Sequence, residues 1–166
     1  MKTIDMLSIQ FGNLFEIAKP GSMIAHGCNC KGVMGSGFAL QIRRRFPRVY
    51  LEYFQLFKEH KLLLGEHLAV YSKGYCIFNA FTQENYGRDP DSVYVDYDAL
   101  EKTMIRATLM AKEMNRALYF PLVGAGRANG DPKLIYSILE RVTRDSDATL
   151  VLDTDYPVNK LSEKLN

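Results

Sequence analysis

No stretch of this 166-residue sequence comes near the roughly 18 uninterrupted apolar residues that a membrane-spanning helix needs. The opening "MKTIDMLSIQFGN" holds one lysine and no long apolar stretch ahead of a small-residue cleavage site, so no signal peptide is expected. An excess of one charge sign is missing too. Lys and Arg number 21 against 19 Asp and Glu, a formal net charge of +2, which is far from the basic footprint of a dedicated nucleic-acid binder. Cysteine is sparse and odd in number. Cys28, Cys30 and Cys76 read as free thiols of a reducing compartment, and their spacing with His26 or His60 fits none of the usual structural zinc sites. The sequence has no internal repeat, no low-complexity tract and no Pro/Gly/Ser-rich linker. A cytoplasmic protein with one domain over residues 1–166 is expected, without metal, cofactor or membrane partner. Its composition, 47% hydrophobic and 24% charged, suffices for a sizeable core.

Within that frame the runs "MLSIQF", "MIAHG", "HLAVYS", "YCIFNAF", "ALYFPLV" and "TLVLDT" are short and nearly continuously apolar, as strands covered on both faces are. Helical patterns lie between them. From Asp96 onward, Leu100, Met104, Ala107, Ala111 and Met114 recur at three- and four-residue spacing and predict one buried stripe. Asp96 or Asp98 is positioned to cap that helix. "DPKLIYSILERVT" predicts another, with Asp131 at the N-cap and Pro132 at the first helical position. "GFALQIRRRFP" predicts a third, which Pro47 ends or follows with a fourth over "PRVYLEYFQLFKEH". Strands alternating with helices predict an α/β sandwich around a largely parallel or mixed sheet.

Chemistry-bearing residues concentrate in "AHGCNCKGVMGSGFALQI", residues 25–42. A strand, a glycine-rich loop and a helix in succession bind phosphates well. Glycine lets the backbone approach the anion, and the helix dipole favours negative charge at its start. Gly32, Gly35 and Gly37 fall between a strand ending near Gly27 and a helix starting near Phe38. Their spacing is neither that of a P-loop nor that of the dinucleotide fingerprint, and taken alone a tight turn without a ligand explains them equally well. "PLVGAGRANGDPKL" supplies a second loop of the same kind, with Gly124, Gly126 and Gly130. Two such loops at the carboxyl ends of strands in one sheet converge on one crevice, and two facing anion nests suit a diphosphate.

The segments "AHGCNCKGVMGSGFALQIRRRFP", "FNAFTQENYG", "DYDAL" and "PLVGAGRANGD" resemble the macro domain family, in the family's order and from about Met6 to Tyr156. Within that family the likeness runs to the branch of ADP-ribose 1''-phosphate phosphatases, of yeast type and of macro-domain proteins of bacteriophages. The resemblance implies a three-layer α/β/α sandwich with a central mixed, largely parallel sheet. It implies a cleft holding ADP-ribose, with the pyrophosphate between the two loops and the distal ribose near the first. Gly35, Ser36 and Gly37 of the first loop, and Gly124, Ala125, Gly126 and Arg127 of the second, are then substrate-binding positions.

Other positions carry a plain reading beside the one implied by the family. His26 is a hydrogen-bonded core histidine, or the group that exchanges a proton with a leaving ribose oxygen or a water. Asp131 is a helix cap, or the carboxylate that activates water. Asn29 matches an asparagine that contacts the distal ribose, and its amide suits hydroxyl groups. Asn79 is a strand-end residue or a second site asparagine. Tyr156 is a turn tyrosine, or a ring stacked on adenine. Two departures stand out. Asn13 occupies the place where many members carry an adenine-binding aspartate. "FTQENYG" has Gln83, and no lysine, near the place of a nucleophilic lysine in a related branch, which argues against a covalent lysine route.

Two functions follow from the resemblance. One is hydrolysis of the terminal phosphate of ADP-ribose 1''-phosphate, with His26 and Asp131 as catalytic residues. The other is recognition of ADP-ribose without turnover, with ADP-ribosylated proteins as partners; hydrolysis of a protein-linked or O-acetyl ADP-ribose ester stands between them. The expected compartment is cytoplasmic, the host cytoplasm if the gene is a phage's. The run "RRRFPR", residues 43–48, is read as a solvated helix face rather than an RNA contact, so no nucleic acid is expected.

Overall fold

The computed structural model describes residues 7 to 165; the expected contributions of Met6 to the first strand and to the start of the family resemblance lie outside them. Among these residues six strands, β1 (Ser8–Phe11), β2 (Met23–Asn29), β3 (His67–Ser72), β4 (Tyr75–Gln83), β5 (Leu118–Phe120) and β6 (Ala148–Leu152), form one sheet. Its order is β1-β6-β5-β2-β4-β3. Every pairing is parallel except the β3–β4 hairpin. Five α-helices among the described residues cover it: α1 (Leu14–Ile17), α2 (Gly37–Arg45), α3 (Pro47–Lys58), α4 (Tyr97–Glu113) and α5 (Pro132–Val142).

Alternation along the strands builds the layers. Met23 and Ala25 of β2, with Cys76 and Phe78 of β4, pack with the apolar stripes of α4 and α5. Ile24 and Ile77 point the other way, into a cluster with Leu14, Ile42 and Val49 from α1, α2 and α3. Helices therefore lie on both faces, the expected α/β/α sandwich. Each fully buried Ile, Met or Phe contributes about 1.5–3 kcal/mol. The expectation of coverage on both faces holds for β2, β4 and β6. It fails for the edge strands: β1 has no buried residue and β3 has only Val70, because each has a neighbour on one side only. β5 stops after Phe120, where Pro121 can offer no ladder N–H.

The helix signals hold, with one exception in the stripe of α4. Leu100, Met104, Ala107 and Ala111 are buried, whereas Met114 is the C-cap and only packs against the cluster's edge. Asp96 caps α4 by accepting from Ala99 N–H at 2.9 Å. Asp131 does the same for α5, accepting from Lys133 N–H at 3.0 Å. Pro47 opens α3 rather than merely ending α2. Arg43, Arg44 and Arg45 are exposed, with Arg43 stacked on Tyr50 and Arg45 on Phe15. Among the described residues no helix is long and apolar enough to cross a membrane.

Candidate active site

Four parallel strands, β2, β4, β5 and β6, end at the same edge of the sheet, so the loops that follow them meet there. They enclose a cleft of about 650 Å³, within the range of small-molecule sites. The first loop lines it with Gly35, Ser36 and Gly37, the second with Gly124 through Arg127, and Tyr156 closes the side after β6. A second recess of about 330 Å³ contains Asn13 and shares Phe38, Gln41 and Asp153 with the cleft.

The two glycine loops face each other but differ in kind. Ser36 stands at the N-cap of α2 without bonding the helix through its hydroxyl, and α2 has no acidic residue in its first turn. Its first amides and dipole are therefore open to an anion. Gly37 has φ 58°, a left-handed conformation that a side chain rarely takes. Arg127 reaches across from the second loop, its Nε about 4.0 Å from where a Gly37 Cβ would stand. In the second loop Gly124 has φ 83°, and a Cβ there would meet Val95 at 2.7 Å. Here the helix start is already occupied, because the Asp131 side chain closes α5.

The same turn removes Asp131 from the cleft. Gly130 is buried and its N–H donates to Gly124 O at 2.8 Å. That bond folds the loop shut, and Asp131 emerges exposed, with its N–H on the Tyr97 hydroxyl at 2.9 Å. Asp131 does not line the cleft. Its observed work is that of a cap.

Asn29 lines the cleft, but its amide is spent on the loop. Oδ1 accepts from Lys31 N–H at 2.9 Å and Val33 N–H at 3.3 Å, while Nδ2 donates to Val33 O at 2.8 Å. The buried Tyr53 hydroxyl of α3 reaches Asn29 O at 2.6 Å and Oδ1 at 3.0 Å. Asn29 and Tyr53 thus brace the first loop from inside. Asn13 is similarly engaged, its Oδ1 accepting from Phe15 N–H at 3.0 Å to cap α1.

His26 sits at the cleft floor, 1% exposed. Its Nε2 is 2.6 Å from Asn79 Oδ1. Asn79 is fully buried and lies behind His26 rather than in the cleft wall, so it reaches the cleft only through the imidazole. Burial lowers the His26 pKa from 6.5 to about 4, against a smaller raising effect of the Asn79 bond. The imidazole is neutral at pH 7. Cys28 lies beside it, Sγ 3.6 Å from Nε2, and burial pushes that thiol well up. Burial and the Glu84 carboxylate push Cys30 up to about 11. Both remain thiols and are poor nucleophiles. Among the described residues no group of three His, Cys, Asp or Glu is placed to hold a metal ion.

Among the cleft residues that escaped the sequence reading are Tyr86 and Arg88 after β4, and Asp153 after β6. Neither loop carries the glycine pattern. The available signal was topological, since loops that follow the parallel strands of one sheet open along the same edge. Arg88 and Arg127 form no ion pair among the described residues and outnumber the one carboxylate of the lining, Asp153.

No family profile matches the sequence. A solved macrodomain protein from Streptomyces coelicolor is 25% identical, superimposes with a TM-score of 0.67, and is covered over 98% of its length by 89% of this chain. The chain belongs to the macro domain family. Thermosipho africanus DarTG in complex with ADP-ribose shares the fold, with a TM-score of 0.74 at 16% identity over 95% of this chain and 45% of that one. Among curated proteins, an uncharacterized 17.5 kDa protein of Enterobacteria phage T4 is 32% identical over 84% of this chain and 92% of its own. An ADP-ribose 1''-phosphate phosphatase of Meyerozyma guilliermondii is 27% identical over 62% of this macro domain chain and 68% of its own. A DNA ADP-ribosyl glycohydrolase of Thermus aquaticus is 30% identical over 73% of this chain, which spans 33% of that longer protein.

Proposed function

We propose that the cleft binds ADP-ribose and that the protein hydrolyses ADP-ribose 1''-phosphate to ADP-ribose and phosphate. The observation that carries the reading is the open N-terminus of α2 facing a second amide-lined loop across one cleft, with Arg127 between them. A diphosphate fits that arrangement by charge and by hydrogen bonding. The adenine then lies toward the recess of Asn13 and Asp153. There Asp153, rather than the already bonded Asn13, offers a charged acceptor to the amino group, and Tyr156 offers a ring. The distal ribose lies toward Cys28, Asn29 and His26. Water attacks phosphorus, the bond from phosphorus to the ribose oxygen breaks, and that oxygen takes up the proton the water has lost, by way of His26. The catalytic role expected of Asp131 has no place in this scheme, since its carboxylate caps α5 outside the cleft. The 27% identical phosphatase supports the substrate.

A second reading, release of ADP-ribose from DNA, rests on the 30% identity to the glycohydrolase. One set of assays separates the two: phosphate release from ADP-ribose 1''-phosphate, and release of ADP-ribose from modified DNA, protein and O-acetyl ADP-ribose. Phosphate release that far exceeds the other activities supports the first reading. Turnover of modified DNA alone replaces it with the second. Binding of ADP-ribose without any turnover makes the protein a reader.

A further inference from the structure

The pairing of β2 with β4 sets His26 directly beside Asn79, Cα partner to Cα partner in parallel strands. Which atom of the Asn79 amide is oxygen is fixed independently of the histidine. Its nitrogen donates to two backbone carbonyls, Leu68 O at 2.9 Å and Ile77 O at 3.3 Å. The atom facing His26 is therefore the carbonyl oxygen, which can only accept. A 2.6 Å contact from Nε2 to a buried acceptor requires a proton on Nε2. A neutral imidazole then carries its lone pair on Nδ1.

We propose that Asn79 is a positioning residue that holds His26 as the Nε2–H tautomer, leaving Nδ1 as the nitrogen that takes a proton in the cleft. This rests on the hydrolase reading above and assigns the direction of proton flow within it. Nδ1 accepts the proton of the attacking water as the oxygen–phosphorus bond forms. The same proton goes to the ribose oxygen as the phosphorus–oxygen bond breaks, so His26 ends as it began. The surroundings fit an acceptor. Against the ring stand Asn79 of β4, Phe38 of α2 and Cys28 of β2, whose Sγ is 3.6 Å from Nε2 and 3.9 Å from Nδ1; that thiol is the one titratable group among these and a weak donor, and no charged side chain among the described residues shifts the imidazole. The phosphate dianion of the substrate is the charge that arrives with binding, and an anion beside the ring raises its basicity when the proton has to be taken.

The test has a readout independent of turnover. Nitrogen NMR of the histidine side chains, with His26 assigned by its loss in His26→Gln, should show a protonated Nε2 and an unprotonated Nδ1 in the unliganded protein at neutral pH. Asn79→Leu removes the acceptor and should mix the tautomers, with kcat falling on the order of 10- to 100-fold and KM changing only a few-fold. Asn79→Asp keeps an acceptor and adds a negative charge, so the tautomer is retained and the acid limb of the kcat profile moves to higher pH. A protonated Nδ1 in the wild-type protein overturns the proposal, whatever the activity. So does an Asn79→Asp variant, folded by the same spectra, whose acid limb does not move. An Nε2–H imidazole in a protein that hydrolyses no ADP-ribose ester overturns the proton path through the hydrolase reading and leaves Asn79's hold on the ring standing.

Discussion

His26 and Asp131 looked equivalent as candidates, and their surroundings separate them. His26 is enclosed at the cleft floor with its Nε2 bonded to Asn79, whereas Asp131 is exposed with its carboxylate on an α5 amide. His26→Ala should leave ADP-ribose affinity within a few-fold and lower turnover by on the order of 10² or more; equal losses in titration and kinetics would point to a purely structural histidine. Asp131→Ala should cost about 1 kcal/mol of stability through the lost cap and leave kcat nearly unchanged. A large fall in kcat with little change in melting would return Asp131 to the chemistry. The sequence offered the identity of both residues. It did not offer the bond from Gly130 to Gly124 that turns Asp131 away. Nor did it show that Asn29 spends its amide on Lys31 and Val33, because those partners are backbone atoms that any residue supplies.

At the scale of elements, α2, α4 and α5 were legible because their signals are local: a cap, a proline and a three-to-four spacing. The site was legible where glycines or the family's motifs mark it. Tyr86, Arg88 and Asp153 sit on loops whose composition is ordinary, and strand order alone brings them to the cleft. The first loop depends on a support outside itself, the Tyr53 hydroxyl of α3. Tyr53→Phe should cost about 1 kcal/mol and weaken ADP-ribose binding by loosening Asn29, as melting and titration would register together. Unchanged binding would mean that the loop holds its shape without α3. Gly126 offers the complementary experiment. A Cβ there meets nothing within 4 Å and its φ is not positive, so Gly126→Ala should fold as the wild type does while placing a methyl group at the cleft wall.

For the molecule as a whole, buried neutral histidine sets a pH dependence. His26 has a folded pKa of about 4 against an ordinary 6.5, so between those values the unfolded chain binds a proton that the folded one refuses. Stability is full above pH 6.5 and declines as pH falls toward 4, by about 3 kcal/mol at most. His67, lowered chiefly by burial and also by Arg106, acts in the same direction. Denaturant unfolding from pH 7 to pH 4 should therefore show a falling midpoint, with the His26 share absent in His26→Gln. A midpoint that is flat over this range would mean that the imidazole is solvated or charged in the folded protein.

In the proposed function two unlike loops, one the open start of a helix and the other a turn of amides, hold a single diphosphate between them. Calorimetric titration of the wild-type protein and Gly126→Ala with ADP-ribose tests it most directly. Saturable one-to-one binding that the added methyl group weakens, with melting unchanged, is the predicted result. No binding at high ligand concentration, or binding indifferent to the methyl group, would contradict it.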